Sequence, residues 1–107
     1  MTKTLSDEDI KIIGEVMQEF PGVRKVIHFG GEITGNYSDS TEIDLAVSGR
    51  NITEELAGRI SDILNDDPSL SWTFDVVDFN SLKDFGLADH VLEYGRVIYL
   101  KNTPKKE

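Results

Sequence analysis

Hydrophobic side chains recur along this chain first at helical spacing and then at strand spacing. After Ser6-Asp7-Glu8-Asp9, apolar residues return every three or four positions as far as Phe20. This pattern predicts a helix that begins at a capping box and ends before Pro21-Gly22. β-Branched and aromatic residues then dominate Val23 to Phe29, which predicts a strand that ends at Gly30-Gly31.

The remainder of the chain continues the alternation of short strands and helices. The polar stretch Glu32 to Thr41 predicts a loop. The elements predicted after it are a strand over 43–47, a helix capped by Asn51 or Thr53, a strand over 72–79, a helix over 81–94 that Gly86 can divide, and a strand over 97–100. Short strands with helices on their connections predict an α/β (α+β) fold, with a small mixed β-sheet of about four strands and helices packed on one face.

Chain length and net charge limit the number of domains and the kinds of ligand that are possible. With 107 residues and 12.0 kDa, the chain has room for a single domain over 1–107, and we expect its charged end, 101–107, to fray. Twenty acidic residues against eleven basic ones give a net charge of −9. This excess argues against general binding to nucleic acid or to an anionic membrane, because both need a basic surface. It still allows a nucleotide that arrives with a divalent cation.

The absence of cysteine and of long apolar runs limits the chemistry and the cellular compartments that are possible for this chain. Cysteine is absent from the sequence, which excludes disulfides, thiolate metal sites and a cysteine nucleophile. No apolar run approaches the roughly 20 residues that span a bilayer, and the amino terminus lacks the apolar core of a signal peptide. We therefore expect a reduced, cytoplasmic compartment.

Carboxylates in two of the predicted strands are the first candidates for chemistry. Glu42 and Asp44 project from the same face of their strand, because side chains alternate along a strand. Asp75 lies between Phe74 and Val76, so it is an acid inside an apolar segment. If the two strands are neighbours, the three carboxylates converge, and oxygen ligands of this kind suit Mg²⁺ or Mn²⁺. The alternative is a solvated acidic face without a ligand.

The glycine pair at the end of the first strand is the second candidate. Gly30 and Gly31 allow a sharp turn whose backbone N–H groups face an anion. Phosphates held there, with a metal ion on nearby carboxylates, would form a site for nucleotidyl or phosphoryl transfer. The alternative is a plain turn, since a Gly-Gly pair occurs in many loops.

Together these segments resemble a known family. His28-Phe29-Gly30-Gly31, a loop of ten residues and Glu42-Ile43-Asp44-Leu45-Ala46-Val47 resemble the signature of the DNA polymerase β-like nucleotidyltransferase superfamily. The likeness is strongest to its minimal nucleotidyltransferase branch, and it covers roughly Ile10 to Leu100. The family's third carboxylate falls on Asp75, within the run Phe74-Asp75-Val76-Val77-Asp78.

The resemblance implies a fold, an activity and partners. It implies a nucleotidyltransferase fold in which Glu42, Asp44 and Asp75 are the catalytic residues and ligands of Mg²⁺ (or Mn²⁺), and in which Gly30 and Gly31 bind the nucleotide. The implied reaction transfers a nucleoside monophosphate from a nucleoside triphosphate, ATP by expectation, to a hydroxyl of a protein or small molecule. With 107 residues the chain has little room for an acceptor-binding domain, so we expect a partner subunit or a homodimer. The partner that the resemblance implies is a helical HEPN-type protein of a toxin-antitoxin pair. No direct nucleic-acid or membrane partner is expected.

The chain departs from the family pattern at positions where the family binds phosphate and metal. Gly31 stands where the family has Ser, Glu32 and Thr34 stand where it has Arg, and Glu42 stands where it has the first Asp. Loss of phosphate contacts and a longer carboxylate would weaken catalysis, because Mg²⁺ requires near-ideal octahedral geometry. The alternative function is therefore a catalytically degenerate, antitoxin-like binding partner of a HEPN-type protein.

Overall fold

Helices and strands alternate in the computed structural model, which describes residues 5–29, 42–83 and 86–101. The elements are α1 (Asp7–Met17), β1 (Val23–Phe29), β2 (Glu42–Gly49), α2 (Glu54–Asp66), β3 (Thr73–Asp78), α3 (Phe79–Lys83), α4 (Ala88–Tyr94) and β4 (Arg96–Leu100). The order agrees with the sequence pattern, and the predicted helix over 81–94 is divided in two. The longest described helix has 13 residues, and none of the described helices is long and apolar enough to cross a membrane.

The strands form one mixed sheet in the order β3-β2-β1-β4. β2 runs parallel to β3, whereas β1 is antiparallel to both β2 and β4. This arrangement confirms the predicted mixed sheet of four strands. The backbone N–H of Lys101 donates to the carbonyl of Arg24 at 2.8 Å, so pairing of β4 with β1 continues into the segment that the sequence assigned to the charged end.

The main hydrophobic core lies between the sheet and the two longer helices. Ile43, Leu45 and Val47 point from β2 into this core, as their alternation with Glu42 and Asp44 predicted. The helix residues that complete it are fully buried: Ile13, Met17, Ile60 and Leu64. Burying one such side chain contributes about 1.5–3 kcal/mol, so this side of the sheet supplies most of the stability.

A smaller apolar cluster covers part of the opposite face. Ile27 and Ala46 on the sheet contact Phe79, Leu82 and Val91 of the two short helices. The two longer helices thus share one face, as expected, and short helices also pack on the other. The candidate carboxylates lie on this second face, because Asp44 alternates with the core residues of β2.

The end of β3 differs from its predicted bound at one residue. The predicted strand extends to Phe79, but Phe79 is the first residue of α3. Two hydrogen bonds turn the chain there. A carboxylate oxygen of Asp78 accepts from the N–H of Asn80 at 3.0 Å, and the hydroxyl of Ser81 donates to the carbonyl of Asp78 at 2.7 Å. The Asp78 side chain therefore starts a helix, since it satisfies a backbone donor that has no partner within the helix.

Candidate active site

The predicted carboxylates meet on the second face of the sheet. Asp44 of β2 is the direct register partner of Asp75 of β3, and on its other side it is paired with Phe29 of β1. Directly paired residues of adjacent strands point to the same face, and the strands are roughly 5 Å apart. Glu42 lies two residues before Asp44 and so shares this face. The structure thus brings together the three acids that the sequence singled out.

The local sequence explains why the acids face this way. The β2 residues that flank Asp44, Ile43 and Leu45, are buried in the main core. Phe74 and Val76 flank Asp75 on β3 and are buried in the same core. A slip by one residue in either strand would expose these apolar side chains and bury the acids, so hydrophobic burial fixes the orientation of the carboxylates.

The surroundings of Asp44 make its negative charge unfavourable. Its side chain is half-buried, whereas those of Glu42 and Asp75 are exposed. Burial is the main cause that raises the pKa of Asp44, and the negative charges of Asp75 and then Glu42 raise it further. A cation placed among the three groups would relieve this repulsion.

Side chains of α2 hold the strand that carries Asp75. The side-chain amide of Asn65 accepts from the N–H of Phe74 at 2.7 Å and donates to its carbonyl at 3.0 Å. The hydroxyl of Ser61 donates to the same carbonyl at 2.9 Å. Asn65 and Ser61 are therefore positioning residues for the neighbouring Asp75. Sequence reasoning missed them, because their partner on β3 is identified only by the packing of α2 against this strand.

The donors present fit a metal ion that is shared with a substrate. No three His, Asp or Glu side chains among the described residues are arranged to hold a metal ion by themselves. Mg²⁺ is usually bound through one or two carboxylates together with substrate phosphates and water, so a complete protein cage is not required. The oxygen-only donors and the electrostatic strain at Asp44 match that mode of binding.

The predicted phosphate turn follows β1. Gly30 and Gly31, like the departures Glu32 and Thr34, lie outside the described residues. Phe29, the residue before Gly30, is the register partner of Asp44. The chain therefore enters this loop directly beside the carboxylates, as a shared phosphate and metal site requires.

Comparisons with known proteins agree with the fold. Residues 5–104 match the family model described as "Polymerase beta, Nucleotidyltransferase". A crystal structure of a toxin-antitoxin with AMP-PNP is similar, with 21% identity, a TM-score of 0.67, and coverage of 92% of this chain and 76% of that chain. A mutant of the toxin-antitoxin MntA-HpeT in which two aspartates are replaced by glutamate has 21% identity, a TM-score of 0.66, and coverage of 92% and 75%. Among curated proteins, none matches this chain.

Proposed function

Because the chain belongs to the polymerase beta nucleotidyltransferase family, we propose that it transfers a nucleoside monophosphate from a nucleoside triphosphate to a hydroxyl acceptor. ATP is the proposed donor, and the acceptor is a protein or small-molecule hydroxyl. The observation that carries the proposal is the direct pairing of Asp44 with Asp75 across β2 and β3, with Glu42 on the same face. A solvated acidic surface gives no reason to place a half-buried carboxylate between two others.

The proposed roles are those that the family resemblance implies for these three positions. Glu42 and Asp44 would hold Mg²⁺ or Mn²⁺, and Asp75 would be a further ligand or the base. When bound, the metal ion would neutralise the phosphate charge and stabilise the charge that develops in the transition state. Asp75 accepts the proton of the acceptor hydroxyl, whose oxygen forms a bond to the α-phosphorus. The bond from the α-phosphorus to the bridging oxygen breaks, and pyrophosphate leaves.

The loop after β1 is proposed to hold the triphosphate. In this proposal the backbone N–H groups of Gly30 and Gly31 donate to phosphate oxygens, which compensates for the hydroxyl that Gly31 lacks. Glu42 is one methylene longer than aspartate and places its carboxylate further from the strand. Glu42→Asp therefore tests how far the natural residue limits activity, and we expect the substitution to maintain or raise the rate.

Label transfer tests the reaction. The protein is incubated with Mg²⁺, candidate acceptors and ATP that is labelled on either the α- or the γ-phosphate. We expect acceptors to retain the α-label only, and the transfer to stop in EDTA, in Asp44→Asn and in Asp75→Asn. Asp62→Asn removes the same charge from an exposed position on α2 and serves as the matched control. Retention of the γ-label, or transfer that Asp44→Asn leaves unchanged, would contradict the proposal.

A second candidate function, binding to a helical HEPN-type protein as an antitoxin, is favoured by exposed apolar side chains. Among the described residues from α3 to β4, five large apolar side chains are exposed, namely Leu87, Leu92, Tyr94, Val97 and Leu100. Exposed apolar side chains of this kind are typical of a protein interface. Two structures of similar fold are of a toxin-antitoxin, which is why we propose a toxin rather than a second copy as the partner, and the family resemblance suggests a helical HEPN-type toxin.

Interface variants separate the two candidates. Leu92→Asp combined with Val97→Asp should abolish co-elution with a purified HEPN-type protein, because a charge would be buried in the interface. Ile63→Asp, at an apolar residue of α2 that is 37% exposed, is the control and should retain binding. A complex that survives the double substitution would rule out this surface. Transfer of the α-label without the partner would assign catalysis to this chain alone.

A further inference from the structure

A concave surface lies at the end of the sheet away from the carboxylates. It is a pocket of about 470 Å³, and its lining includes Arg24, Arg50, Asn51 and the apolar side chains of Phe20 and Leu56. Arg50 follows the last residue of β2, Gly49. Five residue steps separate Asp44 from Gly49, which is about 17 Å along an extended strand. The pocket is therefore distinct from the candidate active site.

Positive charge is concentrated at this pocket in an acidic protein. The chain has 20 acidic and 11 basic residues, yet Arg24 and Arg50 both line the pocket. Within the described residues, neither arginine forms an ion pair with a carboxylate. The guanidinium carbon of Arg59 lies 6.0 Å from the ring centre of Phe20, one of the lining residues. Two arginines thus line the pocket, and a third lies over an aromatic side chain of its lining.

The backbone beneath the arginines is held in place. The N–H of Arg50 donates to the carbonyl of Gly22 at 2.8 Å, and a Cβ atom on Gly22 would collide with the carbonyl of Arg50. Glycine is therefore needed for this close approach of the two segments. Asn51 has a φ of 60°, a left-handed conformation that Asn adopts more readily than most residues. Arg24 and Arg50 consequently extend from fixed backbone positions.

We propose that this pocket binds a phosphate monoester that carries an aromatic or heteroaromatic group, the class to which nucleoside monophosphates belong. A guanidinium group matches phosphate geometry with two parallel hydrogen bonds, and Arg24 and Arg50 supply two such groups. Arg59 lies over the Phe20 ring, and the part of Phe20 that lines the pocket offers, together with Leu56, apolar surface against which a flat ring can pack. The volume of the pocket is within the range of 300–1,000 Å³ that is usual for small-molecule sites.

An NMR titration of the full chain tests the proposal. The ¹⁵N-labelled protein is titrated with AMP and, separately, with inorganic phosphate, both in EDTA so that no metal-bound nucleotide occupies the carboxylate site. We expect AMP to shift the backbone amide signals of Gly22, Arg50 and Asn51 and to bind more tightly than phosphate. The double variant Arg24→Gln and Arg50→Gln should weaken AMP binding roughly tenfold or more, which is the effect of losing charge-assisted hydrogen bonds.

Two further variants make the result specific. Arg96→Gln removes a positive charge from exposed β4, outside the lining of the pocket, and should leave the AMP affinity unchanged. Phe20→Leu should weaken AMP but not phosphate, because only the stacking surface is lost. AMP affinity that the double arginine variant retains would overturn the proposal. Equal affinities for AMP and phosphate, or an absence of shifts at these three amides with millimolar AMP, would also overturn it.

Discussion

Removal of the charge at Asp44 should stabilise the protein when no metal ion is present. The carboxylate of Asp44 is half-buried, and its pKa is raised by burial and by the negative charges of Asp75 and Glu42. At neutral pH the folded state must hold this ionised group next to its neighbours, whereas the unfolded chain separates them. Asp44→Asn keeps the shape of the side chain and removes the repulsion, so we expect a higher free energy of unfolding.

The pairing of Asp44 with Asp75 gives the part of the gain in unfolding free energy that comes from their mutual repulsion. Two unit charges roughly 5 Å apart, the spacing of adjacent strands, repel by about 0.8 kcal/mol in water and by about 3 kcal/mol at an effective dielectric constant of 20. Asp75 is exposed, so solvent and salt screen the pair and the lower end of this range applies. A gain of about 1 kcal/mol corresponds to a rise in Tm of about 4 °C for a chain of this size.

The pH dependence of stability provides an independent check that Asp44→Asn stabilises the protein. A carboxyl group whose folded pKa is raised destabilises the fold at high pH, and stability returns as the pH falls through the folded pKa towards the unfolded value. The advantage of Asp44→Asn should therefore be present at pH 7. This advantage should disappear below about pH 3.9, the ordinary pKa of aspartate, because the aspartate at position 44 is then as neutral as the asparagine that replaces it.

Thermal unfolding in EDTA, followed by circular dichroism at pH 7 and at low pH, measures the effect. Asp62→Asn, an exposed position on α2, is the control for the change in net charge. Added Mn²⁺ should raise the Tm of the natural protein more than that of Asp44→Asn, because a metal ion relieves the same repulsion. A Tm for Asp44→Asn in EDTA that is equal to or lower than that of Asp62→Asn would refute the reasoning.

Other contacts give further testable consequences. Burial raises the pKa of Asp9, but hydrogen bonds, one of them at 3.0 Å from the indole N–H of Trp72, outweigh it and lower the pKa. Trp72→Phe should therefore cost about 1 kcal/mol at pH 7, and urea unfolding should show this cost shrinking as the pH falls through the lowered pKa of Asp9. Asn65→Ala removes two hydrogen bonds to β3 and should cost about 1–3 kcal/mol in the same assay; an unchanged midpoint would exclude its positioning role. Gly95→Ala would place a methyl group against the side chain of Ile27 and should destabilise by about 1–3 kcal/mol. Gly58→Ala, on α2 with open space around it, should instead stabilise by about 0.5–1 kcal/mol; melting curves that rank these two variants the other way would contradict the packing.

The sequence predicts the fold well where the apolar pattern and its stop signals agree. The structure has β1 at Val23–Phe29, the predicted bounds, because a β-branched run ends there at two glycines. Alternation along β2 correctly separates Asp44 from the core side chains. The end of β3 was less predictable, because Phe79 is equally suited to an apolar strand and to the first turn of α3. Hydrogen bonds of Asp78 decide between them.

The three carboxylates of the candidate site could be selected from the sequence, but their arrangement could not. Spacing places Glu42 and Asp44 on one face, yet only the parallel pairing of β2 with β3 brings Asp75 opposite Asp44. The contacts of Asn65 with β3 and the meeting of Arg24 with Arg50 depend likewise on tertiary packing. Hydrophobic periodicity carries no signal for such polar contacts between distant segments.

Metal-dependent nucleotide binding is the most direct test of the central claim that these carboxylates form a nucleotide site. We would titrate the purified protein with ATP in a calorimeter, in Mg²⁺ and again in EDTA, and repeat both titrations with Asp44→Ala and with the pocket variant Arg24→Gln/Arg50→Gln. Our account predicts a Mg²⁺-dependent component of binding that is lost in Asp44→Ala and retained in the pocket variant. The absence of any Mg²⁺-dependent component at millimolar ATP, with a protein that is verified as folded, would contradict it.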